Sequence, residues 1–160
     1  MYSFAFKDLQ SADLISGSVY ESNGGGFANE PLHELFKVDN LGSVGTQSGI
    51  RRSMLADKKV KEEAYIVLVN THSIDEWKNT YNSSTNILTY FGDNRTPEKD
   101  IFDTKQRGNL TFLKLFERGY GTFNERVKLP PIFYFERTGA RSDMRFIGLA
   151  IPFVNGMTKE

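Results

Sequence analysis

Apolar positions in this chain fall into short alternating or continuous runs, separated by breaks rich in glycine and asparagine. That is the pattern of a strand-rich domain with few helices. The clearest run is Ala64–Thr71 (AYIVLVNT), continuous, β-branched and bounded by charge, which predicts a buried strand. Turn chemistry at Asn82–Thr85 leads into a second strand, Asn86–Phe91, ended by Gly92-Asp93-Asn94-Arg95-Thr96-Pro97. Pro130-Pro131 precedes two late strands, Ile132–Glu136 and Phe146–Phe153, joined by a hairpin carrying Thr138–Asp143. Helical spacing occurs in two places. Glu30–Phe36 has Pro31 in its first turn and Leu32, Leu35 and Phe36 on one face. Asn109–Arg118 has Asn109 as its N-cap and Leu110, Leu113 and Phe116 down one side. In the opening stretch, Leu14, Ile15 and Val19 are the expected core positions.

Two glycine-rich segments interrupt this order. Ser22-Asn23-Gly24-Gly25-Gly26 reads as a flexible loop, and Asn40–Gly49 is a second loop that runs directly into Ile50-Arg51-Arg52. The chain shows no internal repeat and no regular βαβ alternation. The expectation is a single α+β domain over residues 1–160, with an antiparallel sheet that is curved or closed partway into a barrel.

Composition removes several function classes. The chain has no cysteine, which excludes disulfides, thiolate zinc sites and cysteine nucleophiles. Its two histidines, His33 and His72, are far apart, so a histidine-based metal site or triad is not expected. Twenty Lys and Arg balance twenty Asp and Glu; zero net charge argues against wrapping nucleic acid over the whole surface but permits a local basic face. There is no apolar run of membrane-spanning length, and Met1–Gln10 lacks the pattern of a signal peptide, so the expected location is cytoplasmic.

Catalytic machinery is not apparent. A metal-dependent nuclease needs clustered carboxylates on adjacent strands with a lysine nearby. Glu136-Arg137 lacks both the second acid and the lysine. Asp93, Glu98, Asp100 and Asp103 are interleaved with Arg95, Lys99 and Lys105, which would neutralise a cation site. They read as a solvated, self-paired loop. Gly24–Gly26 is followed by no Lys-Ser/Thr pair and is not a phosphate loop. The expectation is a binding domain without catalytic residues, metal or cofactor.

One stretch carries a specific signal. The IVLVNT strand is followed by an acidic-Trp turn at Trp77-Lys78-Asn79, then by the strand closing in Tyr90-Phe91-Gly92-Asp93-Asn94-Arg95-Thr96-Pro97. Asp103-Thr104 and Gly108-Asn109 at the head of a helix complete it. This order resembles the N-terminal recognition domain of modification-dependent restriction endonucleases of the AspBHI/MspJI type, over most of the chain and most densely from Ala64 to Phe116. The resemblance implies an SRA-like fold, a PUA-type curved sheet or partly open barrel with two or more flanking helices. It also implies binding of double-stranded DNA around 5-methylcytosine, with the modified base flipped into a pocket. The nuclease, Mg²⁺-dependent in that family, would be a separate C-terminal domain absent from this chain, and the full-length enzyme would assemble as a homo-oligomer.

The residues permit that chemistry. Extruding a base costs a few kcal/mol. Rings stacked on the base return about 1–3 kcal/mol each, and a carboxylate can accept from the cytosine amino group while rejecting the thymine carbonyl. Tyr90, Phe91 and Asp93 supply two rings and a carboxylate within four residues, and Gly92 lets the backbone approach. Alternation puts Tyr90 and Phe91 on opposite faces, with Tyr90 assigned to the pocket and Phe91 to the core. Asp93 has an equal reading as a cap of its own loop. Trp77 is a further pocket candidate, although a lone Trp is more often core.

For DNA contact the loop from Gly42 to Arg52 is favoured, with Ser43, Gln47, Ser48, Arg51 and Arg52 as contact candidates. From Arg51 to Lys61, five basic residues against Asp57 give a local charge of +4; the plain alternative is a solvated charge run. Arg141 at the tip of the late hairpin is a second candidate. Asn94, Arg95, Lys105 and Arg107 are further ones. Three other readings follow from the same residues: a B3-like or SRA-like domain reading unmodified sequence without flipping, a small hydrolase using Asp93 and Asp103, and a purely structural oligomerisation domain.

Overall fold

The structure, a computed structural model, describes residues 2–44, 49–55, 62–70, 78–92, 100–104, 107–139 and 141–153. The chain packs as two compact units. One is built from Met1–Ser73 and Pro130–Ala150, the other from Ile74–Leu129 and Ile151–Glu160.

The first unit holds a six-stranded sheet. Its strands are β1 (Ser3–Phe4), β2 (Val19–Tyr20), β3 (Ile50–Met54), β4 (Glu63–Asn70), β7 (Ile132–Arg137) and β8 (Met144–Ala150), in the order β1-β2-β8-β7-β4-β3. A single-turn helix, α1 (Leu32–Leu35), follows the glycine-rich loop. The α+β class matches the sequence expectation. The wholly antiparallel sheet does not: β4 and β7 pair in parallel, from Ile66↔Ile132 to Asn70↔Glu136, and so do β1 and β2. Parallel neighbours require a long crossover. Here the crossover between β4 and β7 supplies most of the second unit.

β4 reads as a continuous apolar run because both of its faces are covered. Tyr65 through Asn70 are all buried. Alternation sends Tyr65, Val67 and Val69 into the main core with Phe135, Met144 and Phe146. Ile66 and Leu68 fall on the opposite face, in register with the buried Ile132 and Tyr134. Phe36, just past α1, stacks on Tyr65 and meets Phe133 edge-on, with ring centroids 5.0 Å apart in each pair. Of the opening core candidates, Leu14 packs against the core, while Ile15 is exposed.

Tyr20 ties β2 to the segment that precedes it. Its ring is fully buried, and its hydroxyl donates to the Asp13 carbonyl at 2.7 Å and accepts from the Ile15 N–H at 2.8 Å. Burial raises the phenol pKa of Tyr20, and burial raises that of Tyr65 too. In the unfolded chain these phenols ionise near pH 10; in the fold they keep their protons to higher pH. Stability is therefore present below the ordinary phenol value and falls as pH rises past it. Tyr20→Phe should cost about 1–2 kcal/mol at neutral pH and flatten part of that alkaline decline. Urea unfolding from pH 8 to 11 measures both; an identical pH profile for the variant would refute the assignment.

In the second unit, β5 (Thr80–Asn82) and β6 (Ile87–Thr89) form a hairpin. Its turn uses Asn82 Oδ1 to accept from the Ser84 and Thr85 N–H groups, and Asn86 takes a left-handed conformation. The longest helix, α2 (Gly108–Gly119), and the short α3 (Phe123–Arg126) follow. The buried row of α2 is Gly108, Thr111 and Leu115, not the Leu110–Leu113–Phe116 side that spacing suggested. Among the described residues, no helix is long and apolar enough to cross a membrane.

Candidate functional site

The second unit brings the signal-bearing segment to the head of α2. After β6, the chain runs through Tyr90, Phe91 and Gly92. The Tyr90 ring packs on Phe112 of α2 at 5.3 Å between centroids. Phe91 is 36% exposed, and its N–H donates to Asn79 Oδ1 at 2.8 Å. The strand expected over Asn86–Phe91 ends at Thr89, so alternation does not reach these two rings; Tyr90 is the one laid against the helix and Phe91 the more exposed one.

Gly92 meets Asn109 so closely that a Cβ on Gly92 would lie 1.7 Å from Asn109 Oδ1. Asn109 is buried and donates through Nδ2 to the Ile101 carbonyl at 2.6 Å. It therefore joins the strand end to the 100–104 turn. The N-cap position expected for Asn109 belongs to Arg107. Arg107 adopts a left-handed backbone with φ 53°, which costs a non-glycine residue roughly 1–2 kcal/mol. Its N–H donates to the Thr104 carbonyl at 3.0 Å, and its own carbonyl accepts from the Thr111 N–H and hydroxyl, both at 3.0 Å. These bonds hold the strained residue in place.

Beside this helix head is an open hollow of about 590 Å³ lined by Asp100, Phe102, Asp103, Arg107 and Leu110. Asp100 also closes its own turn, its Oδ1 accepting from the Phe102 N–H at 2.8 Å. The lining offers carboxylate acceptors, a guanidinium donor and a ring within one concavity. That set can hold a planar, polar heterocycle. Among the described residues, no group of three or more His, Asp or Glu is placed to hold a metal ion.

The first unit corrects one DNA-contact candidate outright. Arg51 does not extend into a loop; it sits in β3 opposite Val67, on the core side, and is 2% exposed. Its guanidinium makes two bonds to Glu30, NH1 to Oε2 and NH2 to Oε1 (3.1 Å for the second). Glu30, fully buried, also receives Arg137 from the end of β7. The alternation of β3 decides this: with Arg51 and Ser53 turned inward, Arg52 falls on the other face, half-buried opposite Ile66. No sequence spacing announced Glu30 as the partner. A charge at an inward position of a strand was the only available clue.

Ser43 and Arg141 are exposed, and Arg107 is exposed at the helix head. Trp77, Asp93, Gln47, Ser48, Asn94, Arg95 and Lys105 lie outside the described residues.

The family model described as "Restriction endonuclease AspBHI N-terminal" matches residues 14–160. Among solved structures, the chain is similar to the "DNA recognition domain of the cytosine modification-dependent restriction endonuclease LpnPI". That match has 28% identity and a TM-score of 0.81, over 99% of this chain and 67% of that one. It is similar to the "DNA modification-dependent restriction endonuclease AspBHI" at 27% identity and TM-score 0.78, over 98% of this chain and 38% of that one. MspJI, solved in complex with a 27-mer oligonucleotide, shares the fold at 24% identity and TM-score 0.55, over 71% of this chain and 28% of that one. No curated protein matches the chain.

Proposed function

Since the chain belongs to the restriction endonuclease AspBHI N-terminal family, we propose that it is a DNA-recognition domain reading 5-methylcytosine in duplex DNA. The base is everted from the helix and received at the α2 head. The observation that carries this reading is the clamp of Gly92 on Asn109, which brings the chain next to the exposed Phe91 to the helix end that also carries the Asp100–Arg107 hollow. An everted cytosine needs a ring against its face, an acceptor for its amino group and donors for its ring nitrogen and carbonyl. Phe91 or Phe102, a carboxylate and the Arg107 guanidinium fill those roles. Asp93, one residue beyond Gly92, is the carboxylate that the family resemblance selects.

The parent protein would carry a nuclease as a separate part, and the chain spans 38% of the length of AspBHI. This domain supplies the address and not the cut. Its location is proposed as cytoplasmic, where restriction operates.

Phe91→Ala is expected to weaken binding to a methylated duplex by about 1–3 kcal/mol, the worth of one base–ring stack, while leaving the melting temperature nearly unchanged. Fluorescence anisotropy with a labelled duplex measures the first and thermal unfolding the second. An unaltered affinity would remove Phe91 from the site.

A further inference from the structure

The three glycines at Gly24–Gly26 were expected to be a flexible loop, yet they are tied at both sides. Gly24 and Gly26 have positive φ of 105° and 89°, which lets the chain arch tightly. The arch is closed by Asn29: its carbonyl accepts from the Asn23 N–H at 3.0 Å, its N–H donates to the Gly26 carbonyl at 3.2 Å, and its Nδ2 donates to the Gly25 carbonyl at 2.8 Å. The late hairpin docks onto this arch. Asp143 Oδ1 accepts from both the N–H and the hydroxyl of Ser22, at 2.8 and 2.6 Å. Ser142 is 3% exposed, and its hydroxyl donates to the Gly26 carbonyl at 3.4 Å. Within the hairpin, the Thr138 N–H donates to the Asp143 carbonyl at 3.1 Å. Arg141 is exposed, adjacent to the buried Ser142.

We infer that the Ser22–Gly26 arch braces the β7–β8 hairpin as a stiff finger whose Arg141 meets a backbone phosphate of duplex DNA, with Asp143 as its positioning residue. The inference rests on the DNA-reading function proposed above. A long cation on an untethered loop loses side-chain and backbone entropy when it binds. Anchoring both residues that follow Arg141 removes part of that loss before DNA arrives. An acid beside a DNA-facing arginine is otherwise counterproductive, because it repels phosphate; its two bonds to Ser22 account for its presence.

That opposition makes the test sharp. Asp143→Ala and Asp143→Asn each remove one negative charge, and simple electrostatics predicts that both tighten binding equally. The brace predicts a split. Asp143→Asn keeps an acceptor for Ser22 and should bind at least as tightly as the wild type. Asp143→Ala should bind about fivefold more weakly despite the loss of a negative charge, and Arg141→Ala should weaken binding by about the same factor and lower the salt slope by about one. The double change Arg141→Ala/Asp143→Ala should be no weaker than Arg141→Ala alone. If Asp143→Ala fails to fold, the charge-neutral Ser22→Ala/Ser142→Ala variant takes its place, with the same weakening expected. Equal tightening by both Asp143 variants, no loss in the serine variant, or no effect of Arg141→Ala overturns the inference while leaving the DNA-reading function standing. A wild-type chain that binds no duplex overturns that function, and the inference with it.

Discussion

Glu30→Ala is expected to destabilise the first unit by about 3–5 kcal/mol, the usual cost of removing one partner from a buried ion pair. Glu30 is fully buried, and the Arg51 side chain is 1% exposed. Without the carboxylate, Arg51 and Arg137 both lose the acid they share, and the first of them is buried. Whole domains are stable by only about 5–15 kcal/mol, so the variant should melt far below the wild type or fail to express. Arg137→Ala should cost much less, because its side chain is 23% exposed and the Glu30–Arg51 pair survives it. Urea unfolding followed by circular dichroism gives both values. A loss below about 1 kcal/mol for Glu30→Ala would show that the cluster does not hold the sheet to the segment before α1.

Gly92→Ala is expected to destabilise the second unit by less than Glu30→Ala does the first, for a steric reason. The added methyl would lie 1.7 Å from Asn109 Oδ1 and 2.5 Å from its Cγ. Asn109 cannot easily retreat, being buried and bonded to the Ile101 carbonyl. Either that bond breaks or the 90–92 segment lifts from the helix, and forced overpacking of this kind costs typically 1–3 kcal/mol. DNA binding should fall further than stability does, because the strand end carrying Phe91 is what moves. Gly92→Ala/Asn109→Ala empties the space that the methyl needs, so it should recover packing at that point without restoring the tie to Ile101. Comparing the two variants by thermal unfolding and duplex binding separates the clash from the lost bond. A Gly92→Ala protein with wild-type stability and affinity would mean the contact is dispensable.

Much of this fold was legible because local patterns and burial agree. The IVLV run became a strand covered on both faces, and the segment before Pro130-Pro131 gave way to two paired strands, as the sequence predicts. Pairing direction was not legible. Nothing local distinguishes a β4 that pairs antiparallel from one that pairs in parallel after an excursion of some sixty residues, as β4 and β7 do. The helix cap at Asn109 failed for a related reason: good cap chemistry was diverted to the Ile101 carbonyl, and a left-handed Arg107 took the cap position. Arg51 was misplaced because a basic residue after a glycine-rich loop looks solvated unless its acid is known, and Glu30 is 21 residues away. The ties on the Gly24–Gly26 arch were not legible, because three glycines in a row carry no sign of the Asn29 bonds that close it or of the Ser142 hydroxyl that reaches it from far along the chain.

A domain that reads 5-methylcytosine, as proposed, must distinguish the modified cytosine from an ordinary one, and a paired titration measures this directly. Two duplexes of one sequence, differing only in a methyl at cytosine C5, are competed for the wild-type chain at one fixed salt concentration. Tighter binding of the methylated duplex is expected, by about 1–3 kcal/mol, the worth of a methyl in a fitted apolar cavity. Equal affinity for the two duplexes would contradict it.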